Sequence, residues 1–199
     1  MGEGILFGPL VLFSAAMCLT PGPNVVMITA SAANFGFRGT VPQMLGITLG
    51  FGAMVTACGL GLSGLFRAEP RLHIVLKYAG TAYLIYLAWR IANAGSASHD
   101  AKQGRPIGFA EAALFTWANP KSWVTAIGAL AAYSTLGGSM FVQTLVIAGV
   151  LAAACLVSVV MWAAFGAAIA RLLVGRRARL LFNYSMACLL VLSLAPIFL

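Results

Sequence analysis

The chain has 199 residues, of which 61% are hydrophobic and only 8% are charged, whereas soluble domains usually carry about 25% charged residues. A soluble domain needs a mostly polar outer layer, so this composition excludes a water-soluble globule. The formal net charge of +8 does not indicate nucleic acid binding, because the Lys and Arg residues are scattered between apolar segments instead of forming one basic face. The composition predicts an all-α integral membrane protein whose surroundings are the lipid bilayer, with no nucleic acid partner.

Six apolar segments are long enough to span a membrane. A spanning helix needs about 20 residues, because each residue rises about 1.5 Å and the hydrocarbon core is about 30 Å thick. The charge-free sequence after residue 121 is too long for one helix, so we expect a turn at Ser134 to Ser139. The six predicted spans lie near Ile5 to Ala33, Pro42 to Leu65, Leu72 to Ala92, Phe109 to Tyr133, Met140 to Ala170 and Leu180 to Phe198.

The first apolar segment is expected to remain in the mature protein. Glu3 stands where a cleavable signal peptide would carry positive charge, and no A-x-A cleavage site is evident. A hydrophilic stretch near the middle then divides a single membrane domain, residues 1–199, into two halves. We expect a first three-helix repeat at 1–92, a cytoplasmic linker at 93–108 and a second three-helix repeat at 109–199. Because three spans are an odd number, the two repeats must have opposite orientations in the membrane.

Positive residues predict the orientation. Eight of them fall in the loops after the first, third and fifth spans, and only Arg67 and Arg71 fall on the other side. The side richer in Lys and Arg faces the cytoplasm, so we expect a multi-pass protein of the plasma membrane, the inner membrane of a bacterium, with both termini outside. The eight residues are Arg38, Arg90, Lys102, Arg105, Arg171, Arg176, Arg177 and Arg179.

Proline motifs interrupt the first and fourth predicted spans. Proline lacks an N–H donor and clashes with the carbonyl four residues earlier, so each helix must break or kink there. We expect the breaks to free the carbonyl groups of Met17, Leu19 and Thr116. Proline kinks often only shape packing, but matching breaks in two inverted repeats are the plan of many secondary transporters. The two motifs are Thr20-Pro21-Gly22-Pro23-Asn24 and Asn119-Pro120-Lys121.

A lysine at the second break indicates what the site binds. Lys at a helix centre costs about 2.5 to 3.5 kcal/mol on the insertion scale, so Lys121 should face a cavity or a partner. We expect Lys121 and the amides after Pro23 to bind a substrate carboxylate, and Asn24, Asn119 and the freed carbonyls to bind its ammonium group. The predicted substrate-binding residues are Thr20, Pro21, Gly22, Pro23, Asn24, Asn119, Pro120 and Lys121.

Two further interpretations stay open near this motif. Trp117 and Trp123 either form a wall of an apolar substrate pocket or simply pack, and helical spacing predicts that they point to different sides. Glu111 is either a proton site or an interfacial charge. The second interpretation of Glu111 is favoured, because acidic residues near helix ends cost little.

At these residues the sequence resembles the LysE family of amino-acid exporters, including the RhtB-type homoserine and threonine exporters. The resemblance implies a six-span efflux carrier for amino acids, driven by the proton motive force. The chain departs from some members in having Phe51 where they carry a polar or acidic residue. The matching motifs are the two proline motifs, Gly46 to Gly50, Gly80 to Leu87, and Phe115 to Trp123.

Other classes have less support. A transmembrane thiol carrier would use Cys18, three residues before Pro21, but the matching position before Pro120 is Trp117, and a two-electron exchange needs a second thiol. A structural or lipid-handling membrane protein leaves Lys121 unexplained. The cysteines lack C-x-x-C and C-x-x-H spacing, and no span holds a nucleophile with its base. We therefore expect that the protein is not an enzyme and has no metal site, cofactor or catalytic residues. A homodimer is an open alternative to a monomer.

Overall fold

The computed structural model describes residues 7–62, 70–93, 105–134, 139–173 and 175–193, with the backbone alone at 62 and 70–77. In these ranges the chain is helical and contains no strand, which confirms the all-α prediction for them. The Ser134 to Ser139 turn, the linker and the outer ends of the first and last predicted spans lie wholly or mostly outside the described residues. The part of the chain that the structure describes contains eight α-helices: α1 (Phe7–Leu19), α2 (Pro23–Gly39), α3 (Val41–Ala57), α4 (Pro70–Asn93), α5 (Phe109–Ala118), α6 (Pro120–Tyr133), α7 (Met140–Ala170) and α8 (Arg176–Leu192).

Both predicted helix breaks are present. Helices α1 and α2 are separated by three residues and bent by 55° relative to each other. Helices α5 and α6 are separated by Asn119 alone. Pro23 and Pro120 each occupy the first turn of the helix that follows the break, where a missing N–H costs nothing. The prolines therefore end one helix and begin the next.

Two described helical segments, Val41–Gly61 and Met140–Ala170, have the length and composition to cross a membrane. A third results if the bent pair α1 and α2 counts as one span. The first segment includes a π-helical turn, Cys58–Leu62, that continues α3. Helix α8 begins at Arg176, four residues before the expected start of the sixth span. The count of six spans remains a prediction.

The broken helices pack against the long helices of the opposite half of the chain. Helix α7 packs along α1 and α2, α3 packs along α5 and also contacts α7, and α4 packs along α8. Glycines permit the closest approaches: a Cβ at Gly46 would overlap the Phe109 carbonyl on α5, and a Cβ at Gly166 would overlap the Thr29 carbonyl on α2. Small residues of this kind let membrane helices approach each other closely.

The core lies where these helices meet. Met27, Ile47, Phe115 and Leu151, from four different helices, have no exposed surface. Many large apolar side chains face outward instead, and Leu12, for example, is 72% exposed. An apolar outer surface of this kind is suited to lipid and not to water.

Candidate functional site

The two helix breaks meet in the structure. Lys121, in the first turn of α6, reaches across to the first break, where its Nζ donates a hydrogen bond of 2.6 Å to the Thr20 carbonyl oxygen. That carbonyl is available because Thr20 lies just beyond the end of α1, where the last carbonyl groups have no helical partner. The residues expected to form one site are therefore adjacent, although 101 positions separate Lys121 from Thr20.

The lysine side chain lies over Gly22. A Cβ added to Gly22 would be 3.0 Å from Lys121 Cδ and 3.3 Å from Lys121 Nζ. The backbone of Gly22 is extended, with φ −167°, so the need for glycine here is set by space and not by backbone strain. Gly22 thus permits the approach of Lys121 to the break.

Asn119 holds the start of α6. Its side-chain Oδ1 accepts a hydrogen bond of 3.1 Å from the Lys121 backbone N–H, which is the bond of a helix N-cap. The Lys121 carbonyl accepts a bond of 2.7 Å from the Thr125 hydroxyl. The N-cap bond of Asn119 positions Lys121. The expected contact of Asn119 with a substrate ammonium group stays a prediction.

A cavity of about 50 Å³ lies between the breaks, with α3 and α7 completing its wall. Five of the eight predicted binding residues line it: Thr20, Gly22, Asn24, Asn119 and Lys121. The three prolines do not line this cavity; they shape it by ending and starting helices. The lining also includes apolar and sulfur-containing side chains: Met17, Cys18, Phe51, Cys155 and Val159.

Two groups in this cavity can still bind a ligand: an amide oxygen that accepts no hydrogen bond from the described residues and an ammonium group that has no carboxylate partner among them. The Asn24 Oδ1 atom is buried and accepts no hydrogen bond within the described residues. Lys121 has no carboxylate partner there either, because Glu111 is the only acidic residue in the described ranges and it pairs with Arg90. An unpaired cation beside an unpaired acceptor is complementary to a ligand that carries a carboxylate and an ammonium group.

The carbonyls that find new partners at the breaks differ from the expected ones. The Cys18 carbonyl accepts a 2.7 Å bond from the Ser158 hydroxyl of α7, and the Trp117 carbonyl accepts a 2.6 Å bond from Trp123 Nε1. The Thr116 carbonyl, expected to be free, accepts a 3.3 Å bond from the Asn119 N–H. The whole last turn of a helix lacks partners, so a rule based only on the residue four before proline was too narrow.

The two tryptophans contact each other. The ring centroids of Trp117 and Trp123 are 5.8 Å apart with the rings edge to face. The expectation that they point to different sides is wrong, because the break at Asn119 interrupts the helical spacing on which it relied. Neither indole lines the described cavity, and Trp117 Nε1 instead donates a 3.0 Å bond to the Gly50 carbonyl of α3. The pair packs α5 and α6 against α3.

Glu111 lies in the first turn of α5 and forms an ion pair with Arg90 in the last turn of α4. The carboxylate is 17% exposed and the guanidinium 19% exposed. The second carboxylate oxygen is buried and has no hydrogen-bond partner among the described residues. Glu111 does not line the cavity, so a role in proton transfer would have to act at a distance from Lys121.

The cavity residues that sequence reasoning missed include Cys155 and Ser158, both on α7. Neither position carries a motif, because α7 is one continuous apolar helix. Only the packing of α7 along α1 brings them to the break. They supply the hydroxyl that donates to the Cys18 carbonyl and a second thiol in the wall of the same cavity.

The chain is similar to known translocators and efflux proteins. A family model described as LysE type translocator matches residues 15–197. A cysteine/O-acetylserine efflux protein of Shigella flexneri serotype 5b (strain 8401) is 31% identical over 130 residues, which cover 65% of this chain and 66% of that protein. Similarly named proteins of Escherichia coli (strain K12) and Salmonella typhimurium (strain LT2) are 31% identical over 122 residues and 32% identical over 97 residues.

The matches to these relatives are partial. The aligned region covers 62% of the Escherichia coli protein and 49% of the Salmonella typhimurium protein, so the chain spans about two thirds or less of the length of the curated relatives it matches. No solved structure matches the chain. The family model extends over both proline motifs and the cavity.

Proposed function

The chain belongs to the LysE type translocators, and from that premise we propose that it exports a small amino acid or a close derivative from the cytoplasm by alternating access. The observation that supports this most is the hydrogen bond between Lys121 and the Thr20 carbonyl, which joins two broken helices at a shared cavity. The family is one of translocators and not of enzymes. This membership leaves the structural or lipid-handling alternative without support.

The cavity groups suggest how a zwitterion binds. The substrate carboxylate binds the Lys121 ammonium group and the N-terminal amides of α2. Those amides are available because the start of α2 has no side-chain cap. The substrate ammonium group then donates hydrogen bonds to the Thr20 carbonyl, which Lys121 has released, and to the buried Asn24 Oδ1. The Lys121–Thr20 bond thus occupies both halves of the site until a substrate replaces it.

The substrate side chain would face the apolar, sulfur-containing wall. That wall includes Met17, Phe51 and Val159 and presents no charge, which favours a small neutral side chain over a charged one. The relatives are named for cysteine and O-acetylserine, and both compounds have small neutral side chains. We propose substrates of this class for this chain.

The cavity is small in this conformation. A volume of about 50 Å³ holds only a few water molecules, since a cavity needs about 10 to 15 Å³ to hold one. Substrate entry therefore requires the broken helices and α7 to separate, and rocking of one half against the other would open the site to each side in turn. The residues that line the cavity come from both halves of the chain, so a movement of one half relative to the other would open it.

The helix packing supports an inverted repeat of residues 1–92 and 109–199, joined by a cytoplasmic linker at 93–108 in one membrane domain. The second span of each half packs against the broken span of the other half, and the two third spans, α4 and α8, pack against each other. A two-fold exchange of the halves leaves this pattern unchanged. We propose six spans in the inner membrane with both termini outside, and proton coupling and a homodimer remain proposals.

The test is export by purified protein in vesicles loaded with a panel of small neutral and basic amino acids, including cysteine and O-acetylserine. Lys121→Met keeps the side-chain length and removes the charge. A charge-assisted bond contributes about 1.5 to 3 kcal/mol, so we expect the export rate to fall about 10- to 100-fold. Lys121→Arg should recover only part of it, because the planar guanidinium group differs in geometry.

Lys77→Met is the matched control, since it removes the charge of the other lysine in a predicted span. It should export at close to the unmodified rate. Both variants are compared at equal amounts of folded protein, judged by elution in detergent. Unimpaired export by Lys121→Met would overturn the proposed carboxylate site, and export of none of the panel by the unmodified protein would overturn the proposed substrate class.

A further inference from the structure

Two cysteine thiols meet at the cavity. Cys18, in the last turn of α1, and Cys155, near the middle of α7, both line the cavity. The two thiols lie close enough to influence each other. Cys18 is partly exposed to the cavity, whereas Cys155 is 7% exposed. The second thiol that a two-electron oxidation needs is therefore present, on a helix that the repeat pattern did not point to.

Cys18 is held against the same face of α7 on both sides of Cys155. Its Sγ lies 3.9 Å from the Leu151 carbonyl oxygen, to which it donates, and its own carbonyl accepts the 2.7 Å bond from Ser158. Leu151 and Ser158 are each about one helical turn from Cys155 along α7. These contacts hold the end of α1 against the part of α7 that carries Cys155.

We propose that Cys18 and Cys155 are a peroxide-sensitive thiol pair that closes into a disulfide and stops transport, an inference that rests on the proposed function. In the first step Cys18 attacks one oxygen of hydrogen peroxide, which gives Cys18 sulfenic acid and one water molecule. In the second step Cys155 attacks the oxidised sulfur, which forms the Cys18–Cys155 disulfide and releases a second water molecule. Two thiol hydrogens and two electrons pass to one peroxide.

The cavity selects a small oxidant. A space of about 50 Å³ admits a molecule close to water in size, such as hydrogen peroxide, and not a bulky organic disulfide. Reactive cysteines lie beside a cation and near a second cysteine that resolves the sulfenic acid. Lys121 lines the same cavity and interacts electrostatically with Cys18, and Cys18 is the more accessible thiol of the pair.

The disulfide would lock the helices that must separate. Cys18 is two residues before Thr20, the residue to which Lys121 binds, so a covalent link to α7 holds the first break in place. A disulfide requires the sulfur atoms to approach to about 2.05 Å. The proposed rocking motion would then be blocked until the bond is reduced.

The first measurement is chemical and does not depend on transport. Purified protein in vesicles is treated with hydrogen peroxide, and its remaining thiols are alkylated. The protein is then digested and its peptides are identified by mass spectrometry. We expect a peptide pair linked through Cys18 and Cys155 that disappears after dithiothreitol. Cys58→Ser and Cys188→Ser are matched controls that should still form the link. Absence of the link in the unmodified protein and in both controls overturns the pair, whatever the protein transports.

The second measurement is export before and after peroxide, expressed for each protein relative to its own untreated rate. The unmodified protein, Cys58→Ser and Cys188→Ser should lose about tenfold or more, because cross-linked helices cannot separate, and should recover with dithiothreitol. Cys18→Ser and Cys155→Ser should each keep their own untreated rate. A complete Cys18–Cys155 link with undiminished export overturns the block to transport and leaves the proposed function intact.

Discussion

The side-chain amides of Asn34 and Asn183 bond each other in both directions. Asn34 Nδ2 donates to Asn183 Oδ1 at 2.8 Å, and Asn183 Nδ2 donates to Asn34 Oδ1 at 3.2 Å. The pair joins α2 to α8, and Asn183 is only 1% exposed. A reciprocal amide pair satisfies polar groups that would be costly if left unpaired in an apolar bundle.

Asn34→Leu should destabilise the protein by about 1 to 2 kcal/mol, because it leaves the Asn183 amide buried without its partner. The double variant Asn34→Leu/Asn183→Leu should recover part of this loss, since both polar groups are then gone. Thermal unfolding in detergent measures the difference. A double variant less stable than the sum of the two single changes would contradict this account of the pair.

Gly22→Ala should reduce export while the protein remains folded. The new Cβ would meet only the flexible Lys121 side chain, at 3.0 Å from Cδ, so the lysine has to move away from the break and the backbone does not. Gly8→Ala is the control, since a Cβ at Gly8 in α1 meets nothing within 4 Å. Equal vesicle export by the two variants would contradict a role for the Lys121 position.

Gly166→Ala should lower stability by about 1 to 3 kcal/mol, because its Cβ would overlap the Thr29 backbone and force α7 away from α2. Gly149→Ala lies on the same helix and meets nothing within 4 Å, so it should be neutral or slightly stabilising. The measurement is the unfolding midpoint of each in detergent. A harmless Gly166→Ala would mean that α7 and α2 do not pack this closely.

Glu111→Gln tests the two interpretations of the only described acidic residue. If Glu111 is structural, the variant leaves Arg90 unpaired and loses about 1 kcal/mol of stability, while the pH dependence of its vesicle export keeps the unmodified shape. We expect this result, because Glu111 pairs with Arg90 and does not line the cavity. Loss of the pH dependence together with normal folding would instead identify a proton site.

The proposed orientation can be tested by cysteine labelling in intact cells. His99→Cys, in a chain whose four native cysteines are replaced, should react with an impermeant thiol reagent only after the cells are opened, because the linker at 93–108 is expected inside. A cysteine at Ser134, the first residue of the predicted outer turn, is the control and should react in intact cells. Labelling of position 99 from outside would reverse the topology.

Much of the secondary structure followed from local chemistry. The fifth span matches α7 from Met140 to Ala170, because an apolar segment bounded by turn residues and charge defines a helix without help from its neighbours. The breaks followed from proline for the same reason, since a proline in a helix interior removes a hydrogen bond and clashes with the preceding turn. The cap bond of Asn119 was not predicted, because a bond to the next turn cannot be distinguished from a ligand contact in sequence, and its contact with substrate stays a prediction.

The sequence by itself determined that the protein is helical and apolar, where its helices break, and that a lysine accompanies one break, because these depend on residues close together in the chain. Only the tertiary structure decided which residues contact each other. Lys121 reaches Thr20, Cys155 faces Cys18 and Asn34 pairs with Asn183 because whole helices pack through glycines such as Gly46 and Gly166. Such contacts join residues more than 100 positions apart, and no local pattern records which helices approach each other.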